Sequence, residues 1–161
     1  MNGRKGIPDR AKLLGELRDI ASAHKPRLVA LQEAADAIRK GGEYRWVGLY
    51  DVLPEVGLAA NLVYSGPGAP EHPTFPISKG LTGAAISSKR TINVGDVSAD
   101  SRYLTAFGST RSEIIVPLLN AAGDQVVGTL DVESEQVRAF DPETQAFLES
   151  CAEAIRRLWS A

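Results

Sequence analysis

Apolar and small residues recur at Leu14, Leu17, Ala21, His24, Leu28, Leu31, Ala35 and Ile38, in the three- and four-residue steps of one helical stripe. Pro26 disfavours helical backbone at Lys25 and suits a first turn, so the stripe is predicted to run through two helices, over residues 9–24 and 26–40. Gly41-Gly42 is expected to stop the second. From Tyr44 the period drops to two: Trp46, Gly48 and Tyr50 share one strand face, and Val47, Leu49 and Asp51 the other. Further strands are predicted over 58–65, 75–77 and 90–94, with a short helix over 81–88. The stretch 65–73 is loop by composition, and 95–108 is irregular with one helical turn around 101–105. Strands over 112–119 and 125–134 flank Asn120-Ala-Ala-Gly-Asp124, which has the chemistry of a hairpin turn. Asp141-Pro142-Glu143 opens a last helix whose apolar face is Phe147, Leu148, Cys151, Ile155, Leu158 and Trp159. The expected fold class is α+β: a central antiparallel sheet of five or six strands, N- and C-terminal helices on one face, and pocket-forming loops on the other.

Composition narrows what such a domain can be. At 161 residues the chain can bury a core without metal or disulfide support, and its single cysteine, Cys151, excludes a disulfide scaffold. No run approaches the roughly 20 apolar residues of a membrane span, and Met1 to Pro8 has no apolar signal core, so the expected location is the cytoplasm, with no membrane partner. Residues 1–40 carry nine Lys/Arg and five Asp/Glu (+4), and residues 41–161 carry nine and fifteen (−6). Arg4, Lys5, Arg10, Lys12 and Arg18 lie along a polar helix face without interleaved aromatics, which predicts a solvated face rather than a nucleic-acid contact.

Candidate chemistry gathers on one strand face. Alternation sets Val127, Thr129, Asp131 and Glu133 together, with two carboxylates about 7 Å apart. If the 120–124 turn pairs the strands with like faces aligned, Glu113 joins them. Three such acids raise one another's pKa unless a ligand ammonium, an arginine or a hard cation neutralises them. Trp46 and Tyr50 around Gly48 suggest the wall of an apolar slot facing those acids. Ser109, Thr110 and Ser112 are candidate hydrogen-bonding groups, and the loop 96–108 a candidate lid. No cofactor or metal is expected: His24 sits on a helix stripe and His72 in a Pro-rich loop, and no Ser-His-Asp arrangement, phosphate loop or paired CxxC is present.

Tyr44-Arg-Trp-Val-Gly-Leu-Tyr50, Ile77-Ser-Lys-Gly-Leu-Thr-Gly-Ala-Ala85, Ser112-Glu-Ile-Ile-Val-Pro-Leu118, Gly128-Thr-Leu-Asp-Val-Glu-Ser134 and Phe140-Asp141, in this order, resemble a GAF domain. Within that superfamily the chain is most similar to the free methionine-(R)-sulfoxide reductases. The resemblance implies a GAF domain over 26–161 after a helical extension, 1–25. It also implies that Trp46 and Tyr50 box a thioether or sulfoxide methyl, while Glu113, Asp131 and Glu133 hold the polar end of a free amino acid. The chain departs from the reductases where they carry cysteines: Thr82, Ala106 and Ile92 or Asn93 stand there, and thiol turnover needs a thiolate. The expected function is therefore a sensory domain without catalysis, binding a small polar metabolite such as an amino acid through Trp46, Tyr50, Thr82, Ser112, Glu113, Asp131 and Glu133. Its expected partner is a second copy, joined through the terminal helices. The alternatives are a reductase-like oxidoreductase with altered chemistry, and a dimerisation module with a vestigial pocket.

Overall fold

Asp9 accepts the Lys12 amide at 3.0 Å and so starts α1 (Arg10–Ser22) in the computed structural model, which describes residues 9–104 and 108–159. The break at Pro26 is where the sequence puts it, and α2 spans Arg27–Gly42. The two helices do not share one stripe, however. The extended residue Ala23 and the turn after it reset the rotational phase, so α1 buries Leu13, Leu17 and Ala21 while α2 buries Ala30, Leu31, Ala34, Ala35 and Ile38. His24 and Leu28, both expected on the stripe, are exposed. The glycine pair also acts differently from expectation: α2 runs through Gly42, and Glu43 takes the left-handed cap at φ 54°. A side chain at Gly42 would collide with the Tyr44 ring, its Cβ lying 2.1 Å from it.

Strands β1 (Trp46–Leu53), β2 (Leu58–Ser65), β3 (Thr74–Pro76), β4 (Ile92–Val94), β5 (Ser112–Leu119) and β6 (Val126–Ser134) form one antiparallel sheet in the order β3-β2-β1-β6-β5-β4. One face carries Val47, Leu49, Val63, Ile114, Val116, Leu118, Leu130 and Val132 into a core closed by α1, α2 and α4 (Pro142–Ile155). Helix α4 begins as its sequence predicts, with Asp141 accepting the Thr144 amide at 2.7 Å and Pro142 in the first turn. Helix α1 belongs to that same core, where Leu17 is fully buried.

On the opposite face α3 (Gly80–Ser88) packs Leu81 and Ala85 with Val94, Val97 and Ile115. In the long irregular stretch a 3-10 turn forms at Val97–Ala99, where Asp96 accepts the Ser98 amide at 3.0 Å, and a second turn closes where Tyr103 N donates to Asp100 O at 3.2 Å; residue 105 lies outside the described residues. Two irregularities interrupt the alternation. Leu49 faces Val63 but Tyr50 faces Asn61, leaving Leu62 as an extra residue, and Leu118 faces Gly128 while Leu119 faces Val126, leaving Val127. Leu62 and Val127 both turn to the helical core, so Val127 leaves the face it was expected to share with Thr129.

Candidate functional site

Register decides which side chains meet on the face away from the terminal helices. Trp46 lies across from Glu133, which lies across from Glu113; in the next row Gly48 faces Asp131 and Asp131 faces Ile115. The hairpin thus aligns the strands as the alternation required, and Glu113, Asp131 and Glu133 come together. All three are buried, at 7 %, 5 % and 1 % exposure.

Two aromatic rings roof this acidic row. Trp46 is 2 % exposed, its Nε1 donates to Gly68 O at 3.0 Å, and its ring stacks on Tyr64 with centroids 6.2 Å apart. A Cβ at Gly48 would lie 2.2 Å from the Trp46 ring and 3.1 Å from that of Tyr50, so the missing side chain is what lets the two rings approach over the Asp131 row. Tyr50 in turn sits edge-on to Phe75 at 5.8 Å. The apolar slot inferred from these two residues is therefore largely filled by their own rings.

Burial is the first cause of the unusual protonation here, and mutual repulsion the second. Burial raises Asp131 to about 7, opposed by the neighbouring Thr129 hydroxyl. Burial and then Asp131 raise Glu133 to about 8, against contacts with Glu113 and Thr110 that lower it. Glu113 is pushed well above the carboxylate range by burial, Glu133 and Asp131, in that order. The same acids, after burial, raise the Tyr50 hydroxyl. Asp131 Oδ1 and both Glu133 carboxylate oxygens have no hydrogen-bond partner among the described residues. Protonation is what relieves the repulsion between the facing Glu113 and Glu133, since the ion pairs among the described residues include none of the three acids. Nor do three His, Cys, Asp or Glu side chains there converge in a metal-binding group.

Beside the acids lies a small cavity of about 40 Å³, lined by Tyr50, Thr82 and Glu113 together with Pro70, His72, Phe75, Gly80, Leu81, Leu104 and Ile115. A water needs roughly 10–15 Å³ of such space, so there is room for a few waters and too little for a free amino acid unless the walls move. Glu113 is the acid that faces the cavity, while Asp131, Glu133 and Trp46 lie outside its lining. Ser112 is not brought to the site. It alternates with Glu113, so its hydroxyl points to the other side, donating to Gln136 O at 2.5 Å and accepting from the Ala139 amide at 3.4 Å. Thr110, by contrast, is buried beside Glu133. Of the paired positions 92 and 93, Ile92 packs toward Leu81, while Asn93 donates to Phe140 O at 2.8 Å. Ala106 lies outside the described residues. Cys151 is fully buried in the helical core, across the sheet from the acids, and burial pushes its thiol up to about 12.

Sequence reasoning set His72 aside and missed Pro70 and Phe75, whereas Leu104 belongs to the stretch 96–108 expected as a lid, of which 105–107 lie outside the described residues. His72, Pro70 and Phe75 come from the loop and short strand that fold back along β2, a return that Pro70, Pro73 and Pro76 signal only as a break. A larger open groove of about 540 Å³, between β5 and α4, mixes Lys89, Arg90 and Arg156 with Glu149 and Glu153 and includes none of the candidate residues.

An antiparallel sheet sandwiched between terminal helices and pocket-forming loops defines the class, and the GAF domain family matches residues 26–157: the chain belongs to it. It is similar to the free methionine-R-sulfoxide reductase of Saccharomyces cerevisiae, with 29 % identity over 117 residues, 71 % of this chain and 63 % of that protein. The match thus spans less than two thirds of the yeast protein. Protein YtsP of Bacillus subtilis is 28 % identical over 117 residues, covering 71 % and 68 % of the two chains. The free methionine-R-sulfoxide reductase of Neisseria meningitidis, solved with its substrate, superposes with a TM-score of 0.84 at 25 % identity, over 93 % of this chain and 87 % of that one. Among the described residues no helix is long and apolar enough to cross a membrane.

Proposed function

We propose that this chain is a sensory GAF domain that binds a small ammonium-bearing metabolite of the amino-acid kind without thiol chemistry. The observation that carries the reading is the buried acidic row, in which, among the described residues, three carboxylate oxygens have no hydrogen-bond partner and no ion pair includes any of the three acids. Leaving such groups unsatisfied costs about 1–3 kcal/mol each, more when charged, so a ligand cation that supplies N–H donors binds with that penalty relieved. Tyr50 and Glu113 line the cavity and meet a ligand first, while Trp46, Asp131 and Glu133, outside that lining, complete the apolar wall and the cationic end as the walls move. Thr82 offers a hydroxyl where a thiol would be needed for reduction.

A reductase-like activity is the second reading, favoured by the activity of the yeast and Neisseria relatives. Against it stands the place of Cys151, buried on the far side of the sheet. In this proposal residues 1–25 are a helical extension to a ligand-binding domain, 26–161, acting in the cytoplasm as a homodimer through the terminal helices, where Leu28 and Val29 are exposed. Sedimentation showing a monomer at every concentration would remove the dimer.

Thermal unfolding with free methionine, methionine-(R)-sulfoxide, other amino acids, cyclic nucleotides and divalent cations tests the binding reading. A ligand at 100 times its Kd stabilises by about 2.7 kcal/mol, a rise of roughly 5–10 °C here. The expected result is such a rise with an amino acid, abolished in Asp131→Asn, and no reductant consumption in a coupled assay with the sulfoxide. Turnover of the sulfoxide establishes the second reading; no shift with any compound overturns the binding site.

A further inference from the structure

The inner cavity has an outer neighbour. An open groove of about 780 Å³ runs along the exposed side of α3, lined by residues 77–80, by Gly83, Ala84, Ile86 and Ser87, and by 101–104. The inner and outer linings share two residues, Gly80 and Leu104. Those two touch: a Cβ placed on Gly80 would lie 3.0 Å from Leu104 Cδ1, 3.3 Å from its Cγ and 3.5 Å from its Cβ. Gly80 also has φ +68°, a conformation that side-chain-bearing residues rarely adopt, so the contact needs glycine both for backbone and for space. Leu104 is 39 % exposed despite its apolar side chain. Leu104 belongs to neither of the two buried apolar clusters, so a change of its rotamer breaks no packed core.

We propose that Leu104, resting on Gly80, is the gate between the outer groove and the inner cavity, so that ligands reach Glu113 from the α3 side and are selected by what passes when Leu104 swings aside. The role of the passage in binding rests on the function proposed above. Closed, the gate accounts for a cavity too small for an amino acid; open, it joins that cavity to a groove of ample size. The competing entrance is beside His72, which also lines the cavity and is exposed.

The test needs no ligand. Thr82 is 4 % exposed and lines the inner cavity, so Thr82→Cys places a thiol there. Its reaction with a small methanethiosulfonate reagent, followed by mass spectrometry, reports entry, while Cys151 in the same molecule reports global unfolding because it is buried in the helical core. The expected result is slow modification of the introduced thiol, accelerated about tenfold or more by Leu104→Ala, slowed by Leu104→Trp and unchanged by His72→Ala, with Cys151 unmodified throughout. An unchanged rate in Leu104→Ala, a larger acceleration in His72→Ala, or full exposed-thiol reactivity with Leu104 intact overturns the gate. Should Thr82→Cys fold poorly, Ile115→Cys on β5 places the reporter on another wall of the same cavity, with the same ordering expected. Because reagent entry is read without any metabolite, a failed ligand panel and a failed gate are separate results.

Discussion

Glu133 shows how much of the site's behaviour one residue sets. It stands in β6 between Trp46 and Glu113, and both its oxygens lack partners among the described residues. With its pKa raised to about 8 from an ordinary value near 4.5, the folded protein holds a proton that the unfolded chain releases across that interval. Stability is therefore fully present below about pH 4.5 and is lost as pH rises through about 8; Asp131, raised to about 7 from 3.8, adds to the loss over an overlapping window. Glu133→Gln keeps the shape and removes the charge. It is expected to raise stability at pH 8 by about 1–3 kcal/mol, to flatten the fall of Tm between pH 5 and 8, and to weaken ligand binding. Denaturant titrations at both pH values check this, and an unaltered pH slope in the variant would mean that Glu133 does not set the pH dependence of stability. The juxtaposition of the three acids was legible from alternation and turn chemistry alone. That two rings fill the slot was not, because closeness across Gly48 depends on side-chain rotamers rather than on period.

At the scale of elements, most boundaries followed from breaks, caps and periodicity, as at Pro26 and Asp141-Pro142, while the Asp9 cap emerged only from the structure. What escaped has physical causes that leave no period behind. The extra residues Leu62 and Val127 both turn to the helical core, Leu62 next to Val63 on the same face, which strict alternation forbids, and Glu43 takes a left-handed cap although two glycines precede it. The phase change between α1 and α2 likewise depends on the angles of residues 23–26. That phase bears on domain organisation, since α1 precedes the region matched to the family and still places Leu17, fully buried, in the core with Leu31, Leu148 and Ile155. Leu17→Ala is expected to cost about 2–5 kcal/mol in chemical denaturation, the range for a leucine lost from a packed core. A cost below about 1 kcal/mol would make α1 an appendage whose seat collapses harmlessly.

Across the whole molecule, the sheet separates the acidic face from the terminal helices, and one residue's backbone joins the two sides. Tyr50 turns its ring to the acids while its carbonyl accepts Trp159 Nε1 at 3.1 Å. Arg27 at the start of α2 lies 5.7 Å from the centroid of the Trp159 ring, donates to Leu158 O at 2.6 Å and grips both oxygens of Asp51 at 2.8 and 3.2 Å. Pocket strand, second helix and C-terminal turn are thus held at one junction. Its seat is Gly128, where a Cβ would lie 2.3 Å from Trp159 Nε1 and 2.7 Å from Tyr50 O, both too close to bear. Alanine there must expel the indole, because the strand backbone on the other side cannot retreat without breaking its ladder. Gly128→Ala is therefore expected to lose about 1–3 kcal/mol, as overpacked sites do, and to shift Trp159 emission to the red as the ring enters water. Read in a Trp46→Phe background, where Trp159 is the one indole left, an unshifted emission with unchanged Tm would mean that the ring is not seated on the Tyr50 carbonyl in solution.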